Sequence, residues 1–195
     1  MSIFQAITEE EDRIDQGDVF VDIYFATNDE RVNAVVISPT CDLEHNKADY
    51  VKFISTVAFE LVIMDILMNH SRVDQSDFES GQTISKKKYN SAMNAIQHNI
   101  NGDLLPRYYF LPGYSHFLPD SYLDFQMVFV IPLQQVYESY LTNRVTRIAS
   151  PWREQIATRY SGYSVRVGTP DYSESDLQSL LIKAGLKLPP YTSTA

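Results

Sequence analysis

The sequence predicts an α+β fold, with a small and strongly bent antiparallel barrel of five or six β-strands at its centre. Three observations lead to this prediction. Short runs of β-branched and aromatic residues, which favour strands, recur at close intervals along residues 17–58. A longer segment containing leucine, methionine and many polar residues separates them from two further aromatic runs within residues 107–132. Beyond these runs, apolar residues recur with the spacing of helices.

The strands of the predicted barrel are short and are joined by polar turns. Gly17 and Asp18 make the turn into the first strand, where apolar residues alternate with others in the period-two pattern of a strand. Asn33 to Ile37 is a continuous apolar run that is short enough for a buried strand. Short strands with short connections are typical of small antiparallel barrels. We predict the strands at residues 18–25, 33–38, 50–57, 107–111 and 123–131.

A helical insertion is predicted between the two parts of the β core, over residues 59–106. Residues 59–68 are nearly all apolar, and their length together with their leucine and methionine content favours a buried helix. A second helix ends at Asn101-Gly102, a typical stop signal. Its four large apolar residues lie on one face of a 3.6-residue period: Tyr89, Met93, Ile96 and Ile100.

The C-terminal part of the chain is predicted to be helical. Apolar residues from 133 to 141 have helical spacing, and Ser150 followed by Pro151 is a typical helix start. A last helix is predicted from residue 173 or 175 to Gly185. We expect a single domain over residues 1–186, with C-terminal helices over 133–186 and a flexible tail over 187–195.

The charge of the chain bears on its partners. The formal net charge is −9 and the pI is about 4.8. Binding of nucleic acid depends on basic side chains that displace counterions, so this charge disfavours an extensive nucleic-acid surface. The partners that we expect are therefore another protein, including a second copy of the chain, or a small molecule.

Composition also indicates a compartment. The chain has one cysteine, which cannot form an internal disulfide and is typical of a reducing environment. The first residues soon become acidic, so we expect no signal peptide. No apolar run reaches the ~18 residues that a membrane-spanning helix needs. We expect a cytoplasmic protein that does not associate with membranes.

The densest cluster of reactive side chains follows the second predicted strand and comprises Ser38, Thr40, Cys41, Asp42 and His45. Loops at strand ends often carry function. Cys41 is a candidate nucleophile if His45 acts as its base, which needs the loop to curl into a helical turn.

Two other interpretations of this cluster compete with the nucleophile. Zinc is the second, with Cys41, Asp42 and His45 as ligands and His116 or His98 completing the set. The third is structural, with Cys41 buried as a small apolar residue and Asp42 bonded to following backbone amides or to a nearby arginine. We expect this third interpretation to hold, and hence no cofactor.

Several of these segments resemble the MazF/PemK family. The matching residues are Gly17-Asp18-Val19, Ala34-Val35-Val36-Ile37-Ser38-Pro39 and the run from Val51 to Val57. The resemblance spans about residues 17–58, and 123–141 are similar to that family's closing strand and helix. It implies an SH3-like barrel and, as in several members, endoribonuclease activity. Arg31 would then hold the basic catalytic position, and Thr56 or Ser55 the hydroxyl position. The segment 59–118 has no counterpart in that family, whose members are about half as long.

A second group of residues indicates an interface. The C-terminal part resembles uncharacterised bacterial proteins in Arg147, in the run from Ser150 to Glu154 and in the run from Arg166 to Pro170. Arginine beside aromatic residues is frequent in protein interfaces and on surfaces that bind single-stranded nucleic acid. The interface that we predict comprises Trp152, Arg147, Arg153 and Arg166.

The sequence lacks the common nucleotide-binding and hydrolase motifs. We therefore predict a non-enzymatic accessory or regulatory module that binds a protein in a bacterial toxin–antitoxin, phage-defence or mobile-element system. One alternative is a divergent MazF-like endoribonuclease that uses Arg31 and Thr56. Another is a metal-binding protein that uses Cys41, Asp42 and His45.

Overall fold

The computed structural model describes residues 2–8, 13–26, 29–45, 47–78, 83–102 and 104–165. The chain up to Tyr163 forms one compact unit, and Ser164–Ala195 form a second, of which only residues 164 and 165 are described. The predicted last helix, the predicted tail and Arg166 lie outside the described residues. Among the helices that are described, none is both long and apolar enough to cross a membrane.

The centre of the first unit is one antiparallel sheet. Within the described residues it has seven strands: β1 (Phe4–Gln5), β2 (Asp18–Phe25), β3 (Glu30–Val36), β4 (Tyr50–Ala58), β5 (Tyr108–Leu111), β6 (Ser121–Pro132) and β7 (Arg144–Ile148). Hydrogen-bonded neighbours follow the order β1-β7-β2-β3-β4-β6-β5. The predicted α+β class is confirmed, and each of the five predicted strands is present.

The predicted closed barrel of five or six strands is wrong, because the sheet has seven strands and remains open. Closure needs a ladder of hydrogen bonds between the two outer strands, and here these are β1, with two residues, and β5, with four. The two edges are linked by side chains instead. The ring of Phe4 in β1 packs on that of Tyr114 after β5, with 5.1 Å between ring centroids.

Five helices flank the sheet within the described part of the chain. They are α1 (Thr40–Glu44), α2 (Phe59–His70), α3 (Lys86–Asn101), α4 (Leu133–Gln135) and α5 (Trp152–Ser164). Helix α4 continues as a π turn over Val136–Tyr140 and a 3₁₀ turn over Leu141–Asn143, and another 3₁₀ turn spans Gln75–Phe78. Helix α3 begins after Ser85, whose hydroxyl accepts a bond from the Lys88 amide, and ends at Gly102 with φ of +85°. Both ends satisfy backbone groups that a helix terminus leaves unpaired.

The sheet is buried on both faces, which explains the continuous apolar run of β3. Val35 points into a core shared with α5, whereas Ala34 and Val36 point into a second core on the other face. Helix α5 contributes Ile156 to the first core, and α1 contributes Leu43 to the second. A strand that is covered on both sides loses the alternation of apolar and polar residues.

Helices α2 and α3 form a third core against the outer face of β5 and β6. Val62 and Ile66 of α2 and Ala95 of α3 bury Tyr122 of β6. The phenol oxygen of Tyr122 is fully buried, and no described residue hydrogen-bonds it. Burial therefore raises the pKa of Tyr122 to about 12.

Candidate functional site

The predicted site loop folds into the short helix α1. Leu43 is the residue by which α1 enters the core, with 5% of its surface exposed. Because residues two positions apart lie on nearly opposite sides of a helix, Cys41 faces outward. The prediction that Cys41 is buried is therefore wrong, since its side chain is exposed. Its thiol lies 3.6 Å from the Asp42 carboxylate, which accepts a weak hydrogen bond from it.

The loop forms one wall of a groove of about 410 Å³. Ser38, Asp42 and Lys52 line one side, and Tyr160 of α5 lies on the other. The Ser38 hydroxyl accepts a hydrogen bond of 2.8 Å from the Lys52 backbone amide, so this side chain fixes the loop to β4. Thr40 begins α1 and is half-buried. Apolar and aromatic side chains supply much of the rest of the lining, and Asp42 is the carboxylate that lines the groove.

The loop does curl into the helical turn that the nucleophile hypothesis needs, because the His45 amide donates to the Cys41 carbonyl at 3.4 Å. His116 lies in the loop between β5 and β6, where its ring contacts Phe117 and its Nδ1 lies 3.2 Å from the Ser115 hydroxyl. Over the described part of the chain, no three or more potential metal ligands are gathered into one group. Zinc binding by Cys41, Asp42, His45 and His116 stays a hypothesis.

Arg31 and Thr56 line one cavity of about 480 Å³, although they lie on different strands. The register of β3 and β4, which pairs Ala34 with Ser55, brings these residues to the same end of the sheet. Arg31 binds Asp22 through its Nη1, at 2.9 Å from the carboxylate and 2.9 Å from the carbonyl. Both side chains of this pair are 60% exposed.

The charged residues that line this cavity besides Arg31 are two carboxylates, and apolar residues such as Val57 and Met127 supply much of the remaining wall. Glu30 and Asp124 line it, and the carboxylate of Asp124 accepts two hydrogen bonds from Arg107. The Ser55 hydroxyl donates to the Thr56 carbonyl at 3.1 Å. The cavity therefore combines Arg31, which is already paired with Asp22, and one threonine hydroxyl with the carboxylates of Glu30 and Asp124.

The predicted interface residues are divided between the core and the surface. Arg147 is buried, and its Nε lies 2.5 Å from Asp18 Oδ1. Arg144 also binds Asp18, at 3.2 Å, and the Asp15 amide donates to the same carboxylate at 2.8 Å. Burial raises the pKa of Asp18, while the hydrogen bond and charge of Arg147 oppose that rise. Arg147 thus fixes β7 to β2 and does not contribute a surface cation.

The other described members of that predicted interface also contact neighbouring residues. Arg153 binds Glu154 at 2.7 Å and lies 3.9 Å from Asp15. Trp152 is half-buried and packs on the core that contains Ile156. The three described residues of this set therefore do not form one exposed surface.

Helix α3 exposes large apolar residues on the face that the sequence pattern marked as apolar. The helix packs through that face only at Ile96, which is half-buried against the core that contains Ala92. Its buried residues are Ala92, Ala95 and Asn99, about a quarter turn away from the apolar stripe of Tyr89, Met93, Ile96 and Ile100. Tyr89 is 55% exposed and Met93 is 47% exposed. The signal that could have revealed this is the pair of alanines at i and i+3, since small residues let a helix approach its neighbour closely.

Basic side chains line the outer side of the same helix. Arg72, Lys86 and Lys87 line a shallow groove of about 600 Å³ together with Asn90, Ser91 and Asn94. Lys88, the next residue, points elsewhere and binds Asp77 at 2.6 Å and Asp74 at 3.1 Å. Helix α3 thus carries an apolar stripe and a cationic groove side by side.

Comparison of the chain with protein-family models, with curated proteins and with solved structures gave no match.

Proposed function

We propose that this chain is a non-enzymatic accessory module that binds another protein through the stripe on α3. The observation that carries this proposal is the inverted packing of the helix. Two alanines are buried, while Tyr89 and Met93 remain in solvent. A large apolar residue left exposed on a helix contributes nothing to the core, and tyrosine and methionine are enriched at protein interfaces.

The size of the stripe is suited to a partner helix or strand. Burial of each large apolar side chain is worth about 1.5–3 kcal/mol, so covering three or four of them supplies a substantial part of a binding energy. Helix α2 adds Leu61 and Met64, which are also exposed, at i and i+3 on its surface. Apolar anchors at helical spacing are the usual way in which a helix engages a partner.

The bacterial toxin–antitoxin, phage-defence or mobile-element setting belongs to the same proposal. Its support is the resemblance of residues 17–58 to MazF/PemK proteins, whose SH3-like barrel we propose as the origin of the curved sheet. In that relation, α2 and α3 are an addition to the barrel. An added surface with exposed apolar residues is consistent with an accessory role.

The binding proposal is tested by capture from a lysate of the native host. Wild type, Tyr89→Asp and Met93→Asp are immobilised. Phe117→Asp is the matched control because Phe117 is an aromatic residue of similar exposure in the loop between β5 and β6, away from α3. We expect a protein, identified by mass spectrometry, that wild type and Phe117→Asp retain and the two α3 variants lose. The purified protein must reproduce this pattern. Equal retention by all four baits would contradict the proposal.

A divergent MazF-like endoribonuclease is a second candidate, favoured by the common cavity of Arg31 and Thr56. Incubation with structured and unstructured RNA separates the two functions. An enzyme would cleave at specific sites, lose cleavage in both Arg31→Ala and Thr56→Ala, and keep it in Lys47→Ala, which removes a cation elsewhere. That result would replace the binding-module proposal. Because Arg31 is paired with Asp22 and lies beside Glu30 in this cavity, we expect no such cleavage.

A further inference from the structure

The cationic groove on the outer side of α3 has side chains of only two kinds. Arg72, Lys86 and Lys87 provide positive charge, and Asn90, Ser91 and Asn94 provide amide and hydroxyl groups. Among the described residues, no carboxylate forms an ion pair with any of these three cations. The groove is therefore locally cationic although the chain has a net charge of −9.

The position of the lysines is unfavourable for the helix itself. The N-terminus of a helix carries a partial positive charge, so cations in the first turn are destabilising. Lys88 is compensated by Asp74 and Asp77, which also raise its pKa through their hydrogen bonds. Lys86 and Lys87 have no such compensation within the described chain. Their charge is therefore available to a negatively charged ligand.

We infer that this groove binds an acidic segment of the protein partner, an inference that rests on the proposed function. Around α3, Lys86 and Asn90 are the groove residues on the side nearest to the apolar stripe. A segment that carries carboxylates beside an apolar residue can therefore contact the groove and Met93 together. Lysine binds carboxylates as a point charge, and the asparagine amides can donate to the remaining carboxylate oxygens.

Nucleic acid fits the same surface less well. A nucleic-acid backbone needs a continuous basic track, because each phosphate contact releases counterions from an extended charged chain. Here the cations of the groove are Arg72, Lys86 and Lys87, and the next lysine, Lys88, is paired with Asp74 and Asp77, so the positive surface is short. A short acidic peptide segment matches that length.

The test measures binding of a fluorescent peptide by anisotropy. The probe is a 12-residue peptide of glutamates with leucines at helical spacing, and the proteins are full-length wild type and the double variant Lys86→Glu/Lys87→Glu. We expect the double variant to bind the peptide at least about ten-fold more weakly than wild type, as loss of complementary charge predicts. The control Lys47→Glu/Lys52→Glu has the same net charge, carries its changes at exposed sites away from α3, and should stay within about two-fold of wild type.

Three outcomes would overturn this inference. One is equal weakening in the control, which would mean that net charge alone sets the affinity. Another is that a single-stranded oligouridylate of equal charge binds more tightly than the peptide, which would assign the groove to nucleic acid. The third is loss of folding in the double variant, checked by urea unfolding, because replacing cations at a helix N-terminus should not lower the unfolding midpoint.

The capture experiment distinguishes an error in the groove inference from an error in the proposed function. If Lys86→Glu/Lys87→Glu still captures the partner while Met93→Asp does not, the stripe is the interface and the groove is not part of it. If Met93→Asp still captures the partner, the proposed function fails whatever the peptide does. If both variants lose capture of the partner, and only the lysine variant also loses binding of the peptide, the proposed function and the groove inference are both supported.

Discussion

Strand β7 and helix α3 use their large side chains in opposite ways. In β7 the long Arg147 side chain enters the core and pairs with Asp18, beside the buried Ile148. Helix α3 buries alanine and keeps Met93 in solvent, with Lys86 beside it at the groove. The difference indicates that β7 determines the fold, whereas much of α3 is available for binding.

The largest effect is expected from Asp18→Ala. It would leave Arg147 and Arg144 buried without their carboxylate, and breaking a buried pair in this way costs about 3–5 kcal/mol. Urea unfolding followed by circular dichroism measures the loss. Asp22→Asn is the matched control because its partner Arg31 is exposed and asparagine tolerates the φ of +57° at this position, and it should cost no more than about 1 kcal/mol. Similar costs for the two variants would show that burial of the β7 arginines does not matter.

The next largest effect concerns Tyr122 beneath α2 and α3. Its pKa is raised from 10.0 to about 12, so between these values the unfolded chain loses the phenol proton while the folded chain keeps it. This contribution to stability is fully present below pH 10 and is lost as the pH rises through 12, by about 1.4 kcal/mol per pKa unit. Unfolding free energies of wild type and Tyr122→Phe from pH 9 to 12 should diverge in favour of the variant. Parallel curves would contradict the burial of this phenol.

A smaller loss is expected when the alanine face of α3 is filled. Ala95 is 7% exposed in the core with Tyr122, so Ala95→Leu overpacks the site and should cost about 1–3 kcal/mol. Met93→Leu on the stripe is a volume-conserving change in solvent and should leave the unfolding midpoint unchanged. A stable Ala95→Leu variant would show that α3 does not approach α2 closely.

The sequence predicts the strands well because their signal is local. The β-branched run that ends at Ile37 needs no distant partner to be recognised as a buried strand. Strand β7 was missed because its arginines are polar in sequence and become buried only through Asp18, which lies 129 residues from Arg147. The open sheet was not predictable for a similar reason. Its edges depend on the two-residue strand β1 and on contacts between Phe4 and Tyr114.

For the candidate sites too, features that depend on local sequence were predictable and features that depend on tertiary contacts were not. The sequence identifies the loop of Asp42 as a candidate because it follows a recognisable strand, whereas Arg31 and Thr56 were named through the resemblance to MazF/PemK proteins. It could not determine that Cys41 faces solvent, because that depends on which residue of α1 enters the core. The exposure of Tyr89 and Met93 on α3 was also not predictable, since helical periodicity identifies an apolar face but not whether another element covers it.

The free energy of unfolding of Met93→Asp tests the central claim most directly. If the stripe on α3 is a surface kept for a partner, a carboxylate at position 93 remains in water. The free energy measured in urea should then stay within about 0.5 kcal/mol of wild type. A loss of about 2 kcal/mol or more would show that Met93 is covered within the protein, as burial of an unpaired charge is costly. That result would contradict the account of α3 as a binding surface.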